Sequence, residues 1–172
     1  MNKINRNISI IKDTQGNNIV VINDIIFQGR QNIQWDDVEK YLKQYVSDFY
    51  SIAENKEIIY IGTDFPKEYV GSIYTKSLKG TVAKAKANAS QAIPEMIEIA
   101  NYESFENNHK SKHRNDAKKG WYRYETRFAL PVYNKEGELE RYNIFHACLL
   151  IRHASSGKKY LYDITEIKKR NG

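Results

Sequence analysis

The chain has 172 residues and a mass of 20.1 kDa, with 41% hydrophobic and 28% charged residues, which excludes a wholly disordered polypeptide and suits one domain with a real core. A net charge of +6 and an isoelectric point near 9.2 favour polyanionic partners. The single cysteine, Cys148 in the apolar run IFHACLLI, excludes an internal disulfide and reads as a buried, unreactive thiol of a reducing compartment.

Residues 8–12 and 19–27 are rich in Ile and Val and flank DTQGNN, a turn centred on Gly16, which predicts a β-hairpin. The run NNIVVINDIIF is interrupted by Asn23 and Asp24 and is too short to span a bilayer, and no secretory signal precedes it. The expectation is a cytoplasmic domain with no membrane partner. From Trp35 to Ala53 the residues Trp35, Val38, Leu42, Tyr45, Val46, Phe49 and Ile52 recur at three- and four-residue steps. That spacing predicts one amphipathic helix, with Asp36 and Asp37 favoured in its first turn by the helix dipole.

A short strand, IIYIG, follows from Ile58 to Gly62. Thr81 is a candidate N-cap for a helix through VAKAKANASQAI, and Pro94 can start a second helix, PEMIEIA, because a first turn tolerates proline. Residues 101–119 show no periodicity and read as a long loop. Three strands then alternate with the turns NKEG and SSGK: 121–133, 140–153 and 159–168. Helices first and an antiparallel meander last predict the α+β class, with the helices on one sheet face. Residues 1–34 read as an N-terminal hairpin elaboration and 35–172 as the main domain.

Charge concentrates between His109 and Arg127. Lys110, Lys112, Arg114, Lys118, Lys119, Arg123 and Arg127 stand there against Asp116 and Glu125, so nearly all of the net charge falls on this stretch. Focused cations leading into a strand with Trp121 and several tyrosines are what gripping phosphates and stacking on bases require. The plainer reading is a solvated basic loop ahead of an ordinary strand. Lys76, Lys79, Lys84 and Lys86 form a second basic group, although Lys84 and Lys86 lie about 200° apart on a helix, so only one can face a given site. His113 lies between Lys112 and Arg114, where like charge lowers its pKa, and a loop histidine there can transfer protons.

Period-two alternation puts Trp121, Arg123, Glu125 and Arg127 on one face of their strand and Tyr122, Tyr124, Phe128, Leu130 and Val132 on the core face. Two guanidiniums about 7 Å either side of a carboxylate, at roughly 3.4 Å per residue, can neutralise a phosphate beside a base or acid, or form a surface ladder of little energetic value. The 140–153 strand is apolar except for His146, Arg152 and His153, which predicts a central strand. If the NKEG turn pairs Tyr133 with Glu138, Glu125 lies opposite His146. If Gly137 makes a bulge, the register slips by one and His146 joins the tyrosine face. The chain has no Cys/His cluster for zinc, no paired acidic motifs for magnesium, no phosphate-binding glycine loop and no recognisable nucleophile triad, so no metal or nucleotide cofactor is expected.

With these residues in place, the chain resembles the barnase–EndoU–colicin–RelE-like nuclease domains of phage and mobile-element polyvalent proteins. The resemblance rests on IIYIGTDFPKEYVGS, YTKSLKGTVAKAKANASQAIPEMIEIA, WYRYETRFALPVY, RYNIFHACLLIRH and KKYLYDITEIKK, over roughly residues 56 to 168. It implies a barnase- or RelE-like sheet and a metal-independent ribonuclease that directs a 2′-hydroxyl at the adjacent phosphate. It also implies an RNA substrate and an immunity or antitoxin partner. Similar domains often carry a histidine in the helix ahead of the IPEMIEIA segment; here Lys84, Lys86 and Asn88 stand instead. In the catalytic reading Arg123 and Arg127 bind the phosphate, His146 or His113 transfers protons, and Glu125 is partner or base. Lys79, Lys84, Lys86, Lys110, Lys112, Arg114, Lys118, Lys119 and Trp121 would bind nucleic acid. The rivals are a non-catalytic nucleic-acid-binding module and an ADP-ribosyltransferase-like enzyme using Glu125 or Glu166.

Overall fold

In the computed structural model, which describes residues 6–28, 32–106 and 120–170, the chain begins with the expected hairpin. Strands β1 (Ile8–Lys12) and β2 (Asn18–Ile22) pair antiparallel around Gly16, whose φ of +82° is the left-handed conformation that a glycine adopts without steric cost. Asp13 Oδ1 accepts from the backbone N–H groups of Gln15 and Asn17, which locks the turn.

Helix α1 runs only from Trp35 to Leu42, with Val38 and Leu42 buried. The continuous helix to Ala53 is not formed: a 3-10 turn over Lys43–Tyr45 gives way to extended backbone at Val46 and to Ser47 at φ +76°. The reason is tertiary. Ser47 N–H donates to Ile61 and Ile61 N–H to Asp48, while β3 (Phe49–Ser51) pairs with β4 (Ile58–Tyr60). Tyr45 and Ile52 still reach the core, but Phe49 stands 61% exposed, so helical spacing here arose without a helix.

Helices α2 (Phe65–Gly71) and α3 (Ile73–Lys76) lead to α4 (Gly80–Ala89), whose N-cap position is Lys79 rather than Thr81. Ala85, Ala87 and Ala89 are fully buried, which only such small side chains permit at close approach. A 3-10 turn joins α4 to α5 (Ile93–Glu98), with Pro94 in its first turn as expected. The region read as loop after residue 101 instead supplies a strand, β5 (Asn101–Glu106), because Asn101 and Ser104–Glu106 find partners on the next strand. Residues 107–119 lie outside the described residues.

Strands β6 (Trp121–Tyr133), β7 (Leu139–His153) and β8 (Lys159–Lys169) form the meander, and the fold is mixed α+β with an eight-stranded sheet. The order is β1-β2-β6-β7-β8-β4-β3, with β5 also on β6. Thus β7 is central. Beyond the meander, the N-terminal hairpin continues the same sheet through the parallel pairing of β2 with β6, and β4 joins β8 in parallel. Val20 and Ile22 of β2 share one core with Val38, Leu42, Ile93, Met96, Tyr124, Phe128, Leu149 and Ile164. Phe128 and Phe145 stack there at 5.2 Å, each fully buried ring worth roughly 1.5–3 kcal/mol of transfer free energy.

One ion pair crosses this core. Lys86 Nζ of α4 lies 2.7 Å from Asp163 Oδ1 of β8, both side chains fully buried, and Ser72 Oγ donates to Asp163 Oδ2. Lys86 also sits over the Tyr69 ring. Burial pushes the Lys86 ammonium down and the Asp163 carboxyl up, and each partner opposes the shift of the other. Lys86 therefore anchors α4 and is no ligand for nucleic acid.

Candidate functional site

The β6–β7 register decides which side chains meet. Tyr133 pairs with Leu139, the one-residue slip expected if Gly137 makes a bulge, and Gly137 does have φ +80°. A second irregularity follows between Tyr133 and Val132, after which Val132 pairs with Arg141. The two one-residue offsets add, and parity is restored. His146 lies opposite Arg127, and Glu125 opposite Cys148. Neither expected arrangement is found: His146 shares the face of Arg123 and Glu125, but stands diagonal to Glu125 rather than opposite it.

That face, opposite the α4–α5 layer, carries a depression of 410 Å³ lined by Tyr102, Arg123, Glu125, His146, Glu166 and Lys168, among others. Two of its walls are backbone irregularities. Tyr102 has φ +54° where β5 slips against β6, and Glu166 has φ +53° where β8 slips against β7. Such bulges redirect side chains at sites, and non-glycine residues in this conformation carry strain.

Among the expected residues, Glu125 and His146 are exposed, and Arg123 is partly exposed with Nη1 4.0 Å from Glu166. Arg127 is not available as expected. It is 2% exposed, its Nε donates to Asn18 O at 2.9 Å, and one terminal nitrogen is buried without a hydrogen-bond partner. The parallel arrival of β2 beside β6 covers it. Burial lowers its pKa, yet a guanidinium remains charged, so it acts on the site as a fixed buried cation.

His146 Nε2 accepts a hydrogen bond from Arg170 Nε at 3.0 Å, and Arg170 Nη2 lies 3.4 Å from Asp13 Oδ2. The imidazole pKa falls below 6.5, first through partial burial and then through repulsion from Arg170 and Arg127, with Glu125 and Asp13 opposing. Sequence reasoning missed Asp13, Lys168 and Arg170. Lys168 faces His146 across β7–β8, and Arg170 arrives because its N–H bonds Ile144 O beyond the last strand pair. Neither follows from local pattern. Cys148, beside Arg123 and Thr165, has its thiol pKa raised by burial, in keeping with an unreactive sulfur.

Trp121 is on the expected face but packs at 9% exposure against Leu150, Tyr74 and Tyr162, edge-on to Tyr162 at 5.1 Å. Its ring is not open for base stacking. Lys79 and Lys84 are exposed beside another cleft, with Lys84 turned away from buried Lys86 as helical geometry requires. Lys110, Lys112, Arg114, Lys118, Lys119 and His113 lie outside the described residues. Among the described residues, no three His, Cys, Asp or Glu gather as metal ligands, and no helix is long and apolar enough to cross a membrane.

No protein-family model matches the chain, and no curated protein or solved structure is similar enough to count as a match.

Proposed function

We propose that the depression on the open sheet face is an RNA-directed site for metal-independent phosphodiester cleavage, in keeping with the nuclease-like sequence resemblance. The observation that carries this reading is the gathering of a carboxylate, Glu125, and an imidazole, His146, whose pKa is lowered by partial burial and by Arg170, among Arg123, Lys168 and Arg170. A neutral imidazole is the form a general base needs at neutral pH. His146 would take the proton of a 2′-hydroxyl as its oxygen attacks phosphorus, with Glu125 orienting that hydroxyl. The 5′-oxygen leaves and takes a proton from water, giving a 2′,3′-cyclic phosphate. Arg123 and Lys168 would stabilise the charge that develops on the phosphorane. Arg170 holds Nε2 in the free site, so a phosphate that draws off its guanidinium frees that nitrogen.

The Arg170 hydrogen bond also favours a second reading, a binding module whose histidine stays capped. Cleavage separates the two. Purified protein incubated with structured and unstructured RNAs in EDTA should give 2′,3′-cyclic phosphate ends, and His146→Ala should lower turnover roughly 10²–10⁴-fold, the usual range for general acid–base groups. Salt-sensitive RNA binding with no cleavage by folded wild type would establish the binding module instead.

A further inference from the structure

A second feature of the same sheet face lies at the other end of the strands. Four strands place side chains in one cross-strand row: Phe49 of β3 pairs with Tyr60 of β4, Tyr60 with Tyr160 of β8, and Tyr160 with Arg152 of β7. The Phe49–Tyr60 and Tyr60–Tyr160 ring centroids are each 5.8 Å apart, with planes tilted by 48° and 45°. At those tilts neither pair is stacked face to face. The Arg152 guanidinium lies 4.3 Å over the Tyr160 ring and Lys158 Nζ lies 5.0 Å over Tyr60. Phe49, at the row's end, is 61% exposed.

Tyr60, Tyr160 and Arg152 of the row form one wall of a cleft of 640 Å³, within the roughly 300–1,000 Å³ of small-molecule sites, and Phe49 extends the row beyond it. The cleft's other wall is polar. Asp64 Oδ1 lies 3.5 Å from Arg152, Asp48 accepts from Tyr50, and a Cβ on Gly62 would come within 3.0 Å of Asp64 Oδ1. Ser47 holds φ +76° at the rim. From His146 to Arg152 along β7 is about 20 Å, at roughly 3.4 Å per residue.

We propose that Phe49, Tyr60 and Tyr160, with Arg152 and Lys158, form a stacking subsite for the bases of single-stranded nucleic acid. The inference rests on the reading that this face engages RNA, and it names where the strand lies away from the depression. Aromatic faces interleaved with cations are the general device for holding unpaired bases, since every base has a π-face. Carboxylates repel phosphates, so the base edges face Asp48 and Asp64, which accept N–H or ribose hydroxyl donors. The backbone passes on the Lys158 side. A β-strand partner is a poorer fit, because the edge strand here, Phe49–Ser51, offers only three residues.

Fluorescence anisotropy with a labelled single-stranded DNA of about 10 nucleotides, a usual site size, tests binding without cleavage. Phe49→Ala, Tyr60→Ala and Tyr160→Ala should each weaken affinity roughly 5- to 150-fold, the range for losing one stacked base, while leaving the salt slope unchanged. Tyr60→Phe and Tyr160→Phe should retain affinity. Phe49→Ala, at the exposed end, is least coupled to folding, and thermal melts check all variants. Unchanged affinity in the folded alanine variants would overturn the subsite, as would no binding by wild type. A change only in sedimentation would assign the row to protein contacts and overturn it equally. RNA cleavage by wild type with unaltered kcat/KM in Phe49→Ala overturns the subsite alone. Affinity lost in Phe49→Ala, in a protein that cleaves no RNA, supports the subsite and removes the catalytic reading alone.

Discussion

Arg170 donates from Nε to Nε2 of His146 at 3.0 Å, and this contact joins the last described residue to the central strand of the sheet. The same guanidinium reaches Asp13, whose carboxylate is tied into the N-terminal turn by Gln15 and Asn17. The β1–β2 turn and the residue after β8 therefore both bear on the charge and tautomer of one imidazole. With Nε2 accepting, the proton of the neutral ring lies on Nδ1.

Removing Arg170 should change how the site titrates. The His146 pKa lies below 6.5 with Arg170 among its causes, so the acid limb of kcat/KM should also lie below 6.5 in wild type. In Arg170→Ala a positive neighbour is gone, and the limb should move upward toward the ordinary histidine value. The stability sign follows from the same shift: the depressed folded pKa gives a contribution present above 6.5 that is lost as pH falls. NMR titration of the His146 ring in both proteins checks the direction, and an unmoved or lowered midpoint in the variant would contradict it.

The Lys86–Asp163 pair predicts a different outcome for single and double changes. Asp163→Ala leaves a fully buried ammonium without its carboxylate and should cost about 3–5 kcal/mol, measured by denaturant unfolding. Lys86→Met with Asp163→Leu removes both charges and should recover much of that loss. RNA affinity in Lys86→Met should match wild type, because Lys86 reaches no surface.

Arg127 was expected to bind phosphate, and its burial moves its role to the joint between the hairpin and the meander. Its Nε bond to Asn18 O holds the start of β2 against β6. Arg127→Ala should therefore make residues 8–22 more susceptible to limited proteolysis. By contrast, Arg123→Ala should leave proteolysis unchanged while weakening RNA binding. Equal protease resistance in wild type and Arg127→Ala would show that the hairpin docks by apolar burial alone.

The basic segment makes a prediction from charge alone. Replacing Lys110, Lys112, Arg114, Lys118 and Lys119 by Gln should weaken nucleic-acid binding and flatten its dependence on salt, since fewer counterions are released. Affinity that is unaltered at low salt would make the segment a solvated bystander.

The alternation of Arg123, Glu125 and Arg127 against Tyr122, Tyr124 and Phe128 was legible in the sequence, because covalent geometry sends successive strand side chains to opposite faces. The Gly16 turn, the Pro94 helix start and the meander boundaries were legible for the same local reason. Helical spacing misled from Tyr45 to Ile52, where pairing with residues near Ile61 outweighed propensity. Tertiary structure alone decided the rest. Two bulges, whose offsets add, turned His146 toward Arg127; a parallel strand buried that arginine; and residues as distant as Phe49 and Tyr160 came into one aromatic row. Register, burial and cross-strand neighbours depend on partners remote along the chain, and local sequence pattern carries no record of them.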